Sequence, residues 1–73
     1  MASIRNGVAV SIGVARKLAR MHRIIDDADL RGALWEPVHP HDRAEALRSL
    51  ARSNELVPVG GRPGLYRSRA YAT

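Results

Sequence analysis

The first half of the chain shows a helical period of apolar and polar residues. Between Val14 and Ile25, apolar residues recur every three or four positions, so they share one face of a helix. These inward residues are Val14, Leu18, Met21 and Ile25. The opposite face carries Arg16, Lys17, Arg20 and Arg23. The pattern predicts an amphipathic helix over residues 14–25 with a cationic outer surface.

A second, shorter helix is predicted from Asp29 to Trp35. Carboxylates favour a helix start, because they accept hydrogen bonds from free N–H groups at the positive end of the helix dipole. The aspartates around this start are Asp26, Asp27 and Asp29. The candidate buried residues are Leu30, Leu34 and Trp35. Pro37 and Pro40 exclude helix interior after it, since proline has no N–H donor and favours extended geometry in the preceding residue.

The third predicted helix begins at His41 or Asp42 and ends near Ser53. Its inward stripe consists of Ala44, Leu47, Leu50 and Ala51. Asp42 is expected to cap the start, with Glu45 as its reciprocal partner in a capping-box-like arrangement. Glu45 has a second interpretation, as an acceptor from the amino group of cytosine. Asn54 suits the helix end.

After Asn54 the chain changes to the two-residue period of a strand. The predicted elements are the strand Leu56–Val59, the tip Gly60–Gly64 and the strand Leu65–Arg69. Pro63 followed by Gly64 suits a type II turn, because glycine takes the positive φ that this turn requires. The pattern therefore predicts a β-hairpin with Tyr66 toward the core. Tyr66 and Ser68 share one face of the second strand, and Arg67 and Arg69 share the other.

Residues 1–12 have two interpretations. Val8, Val10 and Ile12 alternate with small residues as in a strand, whereas the flanking glycines also fit a loose helix start. We treat this segment as an N-terminal extension of uncertain structure within a single domain of residues 1–73. The apolar residues without an evident place in a three-helix core are Ile4, Val8, Val10 and Ile12. We expect them to form the contact of a homodimer.

Charge and composition favour an anionic partner without identifying it. The 12 Lys and Arg against 7 Asp and Glu give a net charge of +5, and all but one of the cations are arginine. Arginine suits bidentate contact with phosphate or guanine edges, although GC-rich coding explains the same excess equally well. Residues 1–25 and 56–73 hold cations without acids, so these cations form one basic surface only where the two ends meet in the fold.

Several classes of protein are disfavoured. The absence of cysteine excludes disulfides, thiolate metal sites and cysteine nucleophiles, and it fits the cytoplasm. The longest apolar stretch, residues 7–15, is far shorter than the ~20 residues of a membrane span, and no clear signal-peptide cleavage site follows it. His39 and His41 without a distant third ligand make a weak metal site. We therefore expect a non-enzymatic, cytoplasmic protein that needs no cofactor.

Three helices followed by a hairpin, over residues 14–71, resemble the winged helix-turn-helix domain of small prokaryotic and phage transcription regulators. The most specific part is residues 43–67, where Leu47 and Leu50, a break at Asn54, an apolar strand and a Gly/Arg-rich tip follow in the family's order. The resemblance implies an α+β fold, mainly α: a three-helix winged helix-turn-helix with a C-terminal β-hairpin wing. The link between the second and third helices departs from the family, because it is longer and holds two prolines.

The resemblance also implies duplex DNA as the partner, with the third helix in the major groove and the wing at phosphate or the minor groove. The implied DNA-binding residues are His41, Arg43, Arg48, Ser49, Arg52, Arg62, Arg67 and Arg69. Auxiliary phosphate contacts are expected from Arg16, Lys17, Arg20 and Arg23. The tip sequence at 61–63, Gly-Arg-Pro, also resembles the centre of a minor-groove AT-hook but lacks the flanking cations of that motif.

The expected function is sequence-selective duplex DNA binding, as a transcriptional regulator or a small phage-type regulator or excision factor. The alternative is a winged-helix module that binds and modulates a larger machine such as RNA polymerase, which the acids Asp42 and Glu45 would suit. RNA is disfavoured because no aromatic stacking platform is visible. For the cationic first helix, a solvated face, an anionic membrane surface and an organellar targeting helix are the other interpretations.

Overall fold

The computed structural model describes residues 7–71 as a small α+β domain that is mainly helical. In chain order its elements are α1 (Gly7–Met21), β1 (Ile24–Asp26), α2 (Asp27–Ala33), α3 (Pro40–Arg52), β2 (Leu56–Pro58) and β3 (Leu65–Ser68). The three strands form one antiparallel sheet in the order β1-β3-β2. The predicted class, α+β and mainly α, is confirmed, and the predicted hairpin gains a third strand.

Helix α1 begins at Gly7 rather than Val14 and ends at Met21 rather than Ile25. Residues 7–12 are therefore helical, and the strand interpretation of that segment is wrong. The residues that α1 buries are Ser11, Ala15 and Ala19. These side chains are small and four residues apart, so they allow α1 and α3 to approach closely. The predicted inward stripe is wrong at Met21, which is 67% exposed, because the large apolar residues flank the true contact line.

The sequence predicts the last turn of a helix at Ile24 and Ile25, where the structure has strand β1. Ile25 instead pairs with Tyr66 of β3 and is completely buried, while Ile24 pairs with Arg67 on the exposed face. A bond outside the ladder, from Ser68 N–H to the Arg23 carbonyl at 2.8 Å, extends this contact. The partner strand lies some forty residues further along the chain, so the local period of the sequence carries no sign of the pairing.

Helix α2 starts two residues before its predicted start and is fixed by a capping box. Asp26 Oδ1 accepts from Asp29 N–H at 3.0 Å, and Asp29 Oδ2 accepts from Asp26 N–H at 3.0 Å. Capping by aspartate is confirmed, but the cap is Asp26, which lies before the predicted helix start at Asp29. Leu30 is fully buried, whereas Trp35, beyond the helix, is 83% exposed and does not enter the core.

Helix α3 begins differently from the prediction. His39 is the N-cap, and its Nδ1 accepts from His41 N–H at 3.0 Å. Pro40 occupies the first turn, where its missing N–H costs nothing. The expected box of Asp42 and Glu45 is therefore wrong. At the other end Asn54 takes a left-handed φ of 66°, and the Glu55 N–H reaches the Leu50 carbonyl at 2.9 Å, as in a Schellman motif.

The core lies between the three helices and the inner face of the sheet. Its buried members are Ala15, Ala19, Ile25, Leu30, Leu47, Leu50 and Leu56. Ile12 packs against this cluster. It therefore belongs to the core and not to the expected homodimer contact. Val8 and Val10 are half-buried. Ile4, the remaining member of that contact, lies outside the described residues.

Candidate nucleic-acid interface

The exposed side of α3 carries a stripe of polar and charged residues, His41, Glu45, Arg48 and Arg52. Their spacing of three or four residues places them on one face of the helix. The opposite face is buried and consists of Arg43, Ala46, Leu47 and Leu50. Ser49, which the sequence also assigned to DNA, is half-buried beside the stripe. Helix α3 therefore presents two guanidinium groups, an imidazole and a carboxylate to solvent.

Glu45 accepts a hydrogen bond from each of the two arginines of this stripe. Its Oε1 accepts from Arg48 Nη2 at 3.0 Å, and its Oε2 accepts from Arg52 Nη2 at 2.8 Å. These hydrogen bonds, first from Arg52 and then from Arg48, keep the pKa of Glu45 below its usual range. The carboxylate is therefore ionised at neutral pH, and the three side chains form one charged cluster.

Arg43 does not belong to the exposed surface. It is only 7% exposed, and it donates from Nε and Nη2 to the two carboxylate oxygens of Asp27 at 2.7 and 3.0 Å. Its hydrogen bond to Asp27 raises the pKa of the Arg43 guanidinium and lowers the pKa of Asp27. Arg43 is therefore absent from the exposed face on which the expected DNA contacts depend. The signal was present in the sequence, since residue 43 lies four and seven positions before Leu47 and Leu50.

The hairpin between β2 and β3 ends in two successive turns. Arg62 N–H donates to the Val59 carbonyl at 3.1 Å, and Leu65 N–H donates to the Arg62 carbonyl at 3.1 Å. Gly61 and Gly64 occupy the third position of these turns with φ of 75° and 83°, so the backbone requires glycine there. The Pro63-Gly64 turn has the positive φ that the sequence predicted. Arg62 lies between the two glycines and is exposed.

Side chains in and just after β3 alternate between the two faces of the sheet, as predicted. Ser68 is buried and Tyr66 packs against the core, whereas Arg67 and Arg69 are exposed. The Ser68 hydroxyl donates to the Ala19 carbonyl and so fastens the sheet to α1. Arg67 lies in the central strand, paired in register with Ile24 and Val57, and its side chain projects from the outer face of the sheet.

The four cations expected to assist from the first helix have different environments. Arg16 donates from Nε and Nη2 to Glu55 at 2.7 and 2.9 Å, which lowers the pKa of Glu55. Lys17 and Arg20 are exposed on α1. Arg23 lies beyond the helix, with its guanidinium carbon 5.5 Å from the centre of the Tyr71 ring. Arg16 is thus occupied by a structural ion pair, and the other three remain candidates.

Within residues 7–71, seven cationic side chains have no acidic partner within ion-pair distance. They are Lys17, Arg20, Arg23, Arg31, Arg62, Arg67 and Arg69, of which Arg31 lies on α2 outside the expected contact set. Two features of the site were not predicted from the sequence: the hydrogen bonds that Glu45 accepts from Arg48 and Arg52, and the exposure of Trp35. The spacing of Glu45 and Arg48 on a helix is a recognisable ion-pair signal, whereas the exposure of Trp35 depends on how the proline-containing loop folds.

The described part of the chain holds neither a metal-ligand cluster nor a membrane-spanning helix. No cluster of three or more histidine, cysteine, aspartate or glutamate side chains suited to a metal ion occurs there. His39 and His41 instead pack edge to face, with ring centres 6.4 Å apart, at the start of α3. None of the helices described has the length and apolar character needed to cross a membrane.

Comparison of the chain with protein families, with curated proteins and with solved structures finds no match.

Proposed function

We propose that this chain is a winged helix-turn-helix domain that binds duplex DNA in the cytoplasm, as a transcriptional regulator or a small phage-type regulator or excision factor. In this proposal α3 is the reading helix and the β2–β3 hairpin is the wing. The element order α1-β1-α2-α3-β2-β3 and the sheet order β1-β3-β2 support it, because a glycine-rich hairpin directly follows a helix with an exposed polar face.

The observation that carries the proposal is the pair of exposed guanidinium groups on α3. A helix fits the major groove, where arginine donates to O6 and N7 of guanine. An arginine side chain has five N–H donors, and in both Arg48 and Arg52 the hydrogen bond to Glu45 uses only the Nη2 group. Donors on Nε and Nη1 therefore remain for base edges.

The proposed contact set follows from exposure and from the ion pairs. On the reading helix and the wing it consists of His41, Arg48, Ser49, Arg52, Arg62, Arg67 and Arg69. Auxiliary phosphate contacts come from Lys17, Arg20 and Arg23. Arg43 and Arg16 are removed from the sequence-based set, because Asp27 and Glu55 hold their guanidinium groups.

Selection from a random duplex library tests the proposal. We expect enrichment of a short motif that contains guanine, and a symmetric pair of such motifs if two copies bind together. A library in which no motif is enriched, although the folded protein is present, contradicts sequence-selective binding. The symmetry of the selected site also shows whether the protein binds DNA as a homodimer.

A second candidate function is a protein-binding winged helix that modulates a larger machine. The observation that favours it is the exposure of Trp35 and Met21, since large exposed side chains, tryptophan above all, are typical of protein–protein contact sites. Failure to bind any duplex at low salt would favour this candidate over DNA.

A further inference from the structure

We infer that Glu45 determines specificity on the α3 surface: it weakens the attraction of Arg48 and Arg52 for phosphate while it keeps both guanidinium groups oriented toward base edges. This inference rests on the proposed DNA-binding function. It assigns to an acidic residue on the reading helix a role in choosing between specific and random DNA.

The geometry joins the three side chains into one unit. Each carboxylate oxygen of Glu45 serves a different arginine, Oε1 to Arg48 at 3.0 Å and Oε2 to Arg52 at 2.8 Å. Rotation of the carboxylate toward one arginine would therefore weaken its bond to the other. The side chains of Arg48 and Arg52 remain 50% and 64% exposed, so the unit faces solvent rather than the core.

The charge of this unit disfavours random DNA. Non-specific binding depends on phosphates that cations neutralise, and each neutralised phosphate contributes about −0.9 to the slope of log K against log salt concentration. The carboxylate of Glu45 cancels one of the two positive charges on this part of α3. A phosphate that approaches either guanidinium group also meets a negative charge beside it.

Binding to base edges depends on orientation more than on net charge. Arg48 and Arg52 keep free donors on Nε and Nη1 within the described structure. A side chain that is already held in one geometry loses less conformational freedom when it binds. Glu45 therefore lowers the affinity for phosphate more than the affinity for guanine, which widens the difference between random and specific sites.

A purely stabilising role does not account for this arrangement. Exposed ion pairs contribute little to stability, and α3 already has a capped start and a Schellman end. Loss of the Glu45 charge should accordingly leave the melting temperature almost unchanged. A change in DNA preference without a change in stability separates the two roles.

The test compares wild type, Glu45→Gln and Glu36→Gln on a random duplex and on a duplex selected by the wild type, over a range of salt. Glu36→Gln is the matched control, because Glu36 is exposed in the loop before α3 and forms no ion pair within the described residues. We expect Glu45→Gln to steepen the salt slope on the random duplex by about 0.9. That change corresponds to about eightfold tighter binding at ~0.1 M salt if the two lines meet at 1 M.

The ratio of specific to random affinity should fall by a similar factor in Glu45→Gln and stay constant in Glu36→Gln. An unchanged ratio in Glu45→Gln, or an equal fall in both variants, overturns the role of Glu45 and leaves the DNA-binding proposal standing. A wild type that binds neither duplex overturns the proposed function and this inference together.

Discussion

Arg43 and Asp27 join α3 to α2 through a bidentate ion pair, with Arg43 Nε and Nη2 donating to the carboxylate at 2.7 and 3.0 Å. Arg43 Nη1 donates to the Val38 carbonyl at 2.7 Å, so the same guanidinium also fixes the loop between the two helices. The buried end of the pair is the arginine, since the Asp27 side chain is 48% exposed. The pair therefore fixes the long, proline-containing connection between the helices.

The asymmetry of this pair predicts unequal effects of removing its two ends. Asp27→Ala leaves a buried cation with only the Val38 carbonyl, which we expect to destabilise the fold by about 2–3 kcal/mol. Arg43→Met leaves a half-exposed carboxylate that water can solvate and fills the interior with an apolar chain, at a cost of about 1 kcal/mol or less. Urea unfolding of both variants measures the difference, and equal losses would contradict the buried position of Arg43.

The ion pairs also predict a loss of stability in acid. The folded-state pKa of Asp27 and Glu55 is lowered, in each case mainly by a hydrogen bond from arginine. The unfolded chain then binds more protons at low pH, so the stability from these groups is full above their ordinary values of 3.8 and 4.5 and falls as pH decreases below them.

Urea unfolding between about pH 6 and pH 3 measures this loss. Glu55→Gln should lose less stability over that range than the wild type, because one of the proton-binding groups has been removed. A free energy of unfolding that is constant down to about pH 3 would show that these ion pairs do not couple folding to pH.

Ser11 predicts a stabilising substitution. Its side chain is fully buried between α1 and the core, and its hydroxyl has no hydrogen-bond partner in the described structure. Ser11→Ala removes an unsatisfied polar group and should raise the free energy of unfolding by about 1 kcal/mol. Ser49→Ala, on a half-buried helical position, controls for helix propensity alone, which contributes about 0.5 kcal/mol. Equal gains in the two variants would show that the Ser11 hydroxyl costs nothing.

Elements specified by local sequence were predicted well. The body of α3 follows from its period, and the hairpin tip follows from Pro63-Gly64, whose positive φ only glycine adopts easily. The inward position of Tyr66 follows from the alternation of the strand. These features depend on residues within a few positions of each other, so their signals lie within a short window of the chain.

Features that depend on distant partners were missed. The sequence around Ile25 fits a helix, and only its pairing with Tyr66 makes it a strand. The burial of small residues such as Ala15 depends on the approach of α3, which the pattern of large apolar residues does not reveal. At the candidate site, the charge of Arg43 suggested a surface position, whereas Asp27 compensates for that charge in the interior.

Arginine substitutions on the helix and on the hairpin should affect DNA binding in different ways. Arg48→Ala and Arg52→Ala should reduce discrimination at one base pair by about 1–3 kcal/mol, because both side chains are proposed to contact base edges. Arg62→Ala and Arg67→Ala should weaken binding to all sequences and reduce the salt slope by about 1 each.

Affinity for single-base variants of the selected duplex provides the measurement. Arg31→Ala, an exposed arginine of α2 outside the proposed contacts, serves as the control. If Arg52→Ala alters neither affinity nor base preference, α3 is not the reading helix.

In the proposed complex, exposed arginines of this domain neutralise DNA phosphates, so binding to a random duplex should weaken as the salt concentration rises. With a contact set of at least four phosphates, we predict a slope of log K against log salt concentration steeper than about −3 per protomer. Absence of binding at about 50 mM salt, or a slope near zero, would contradict DNA binding by this domain.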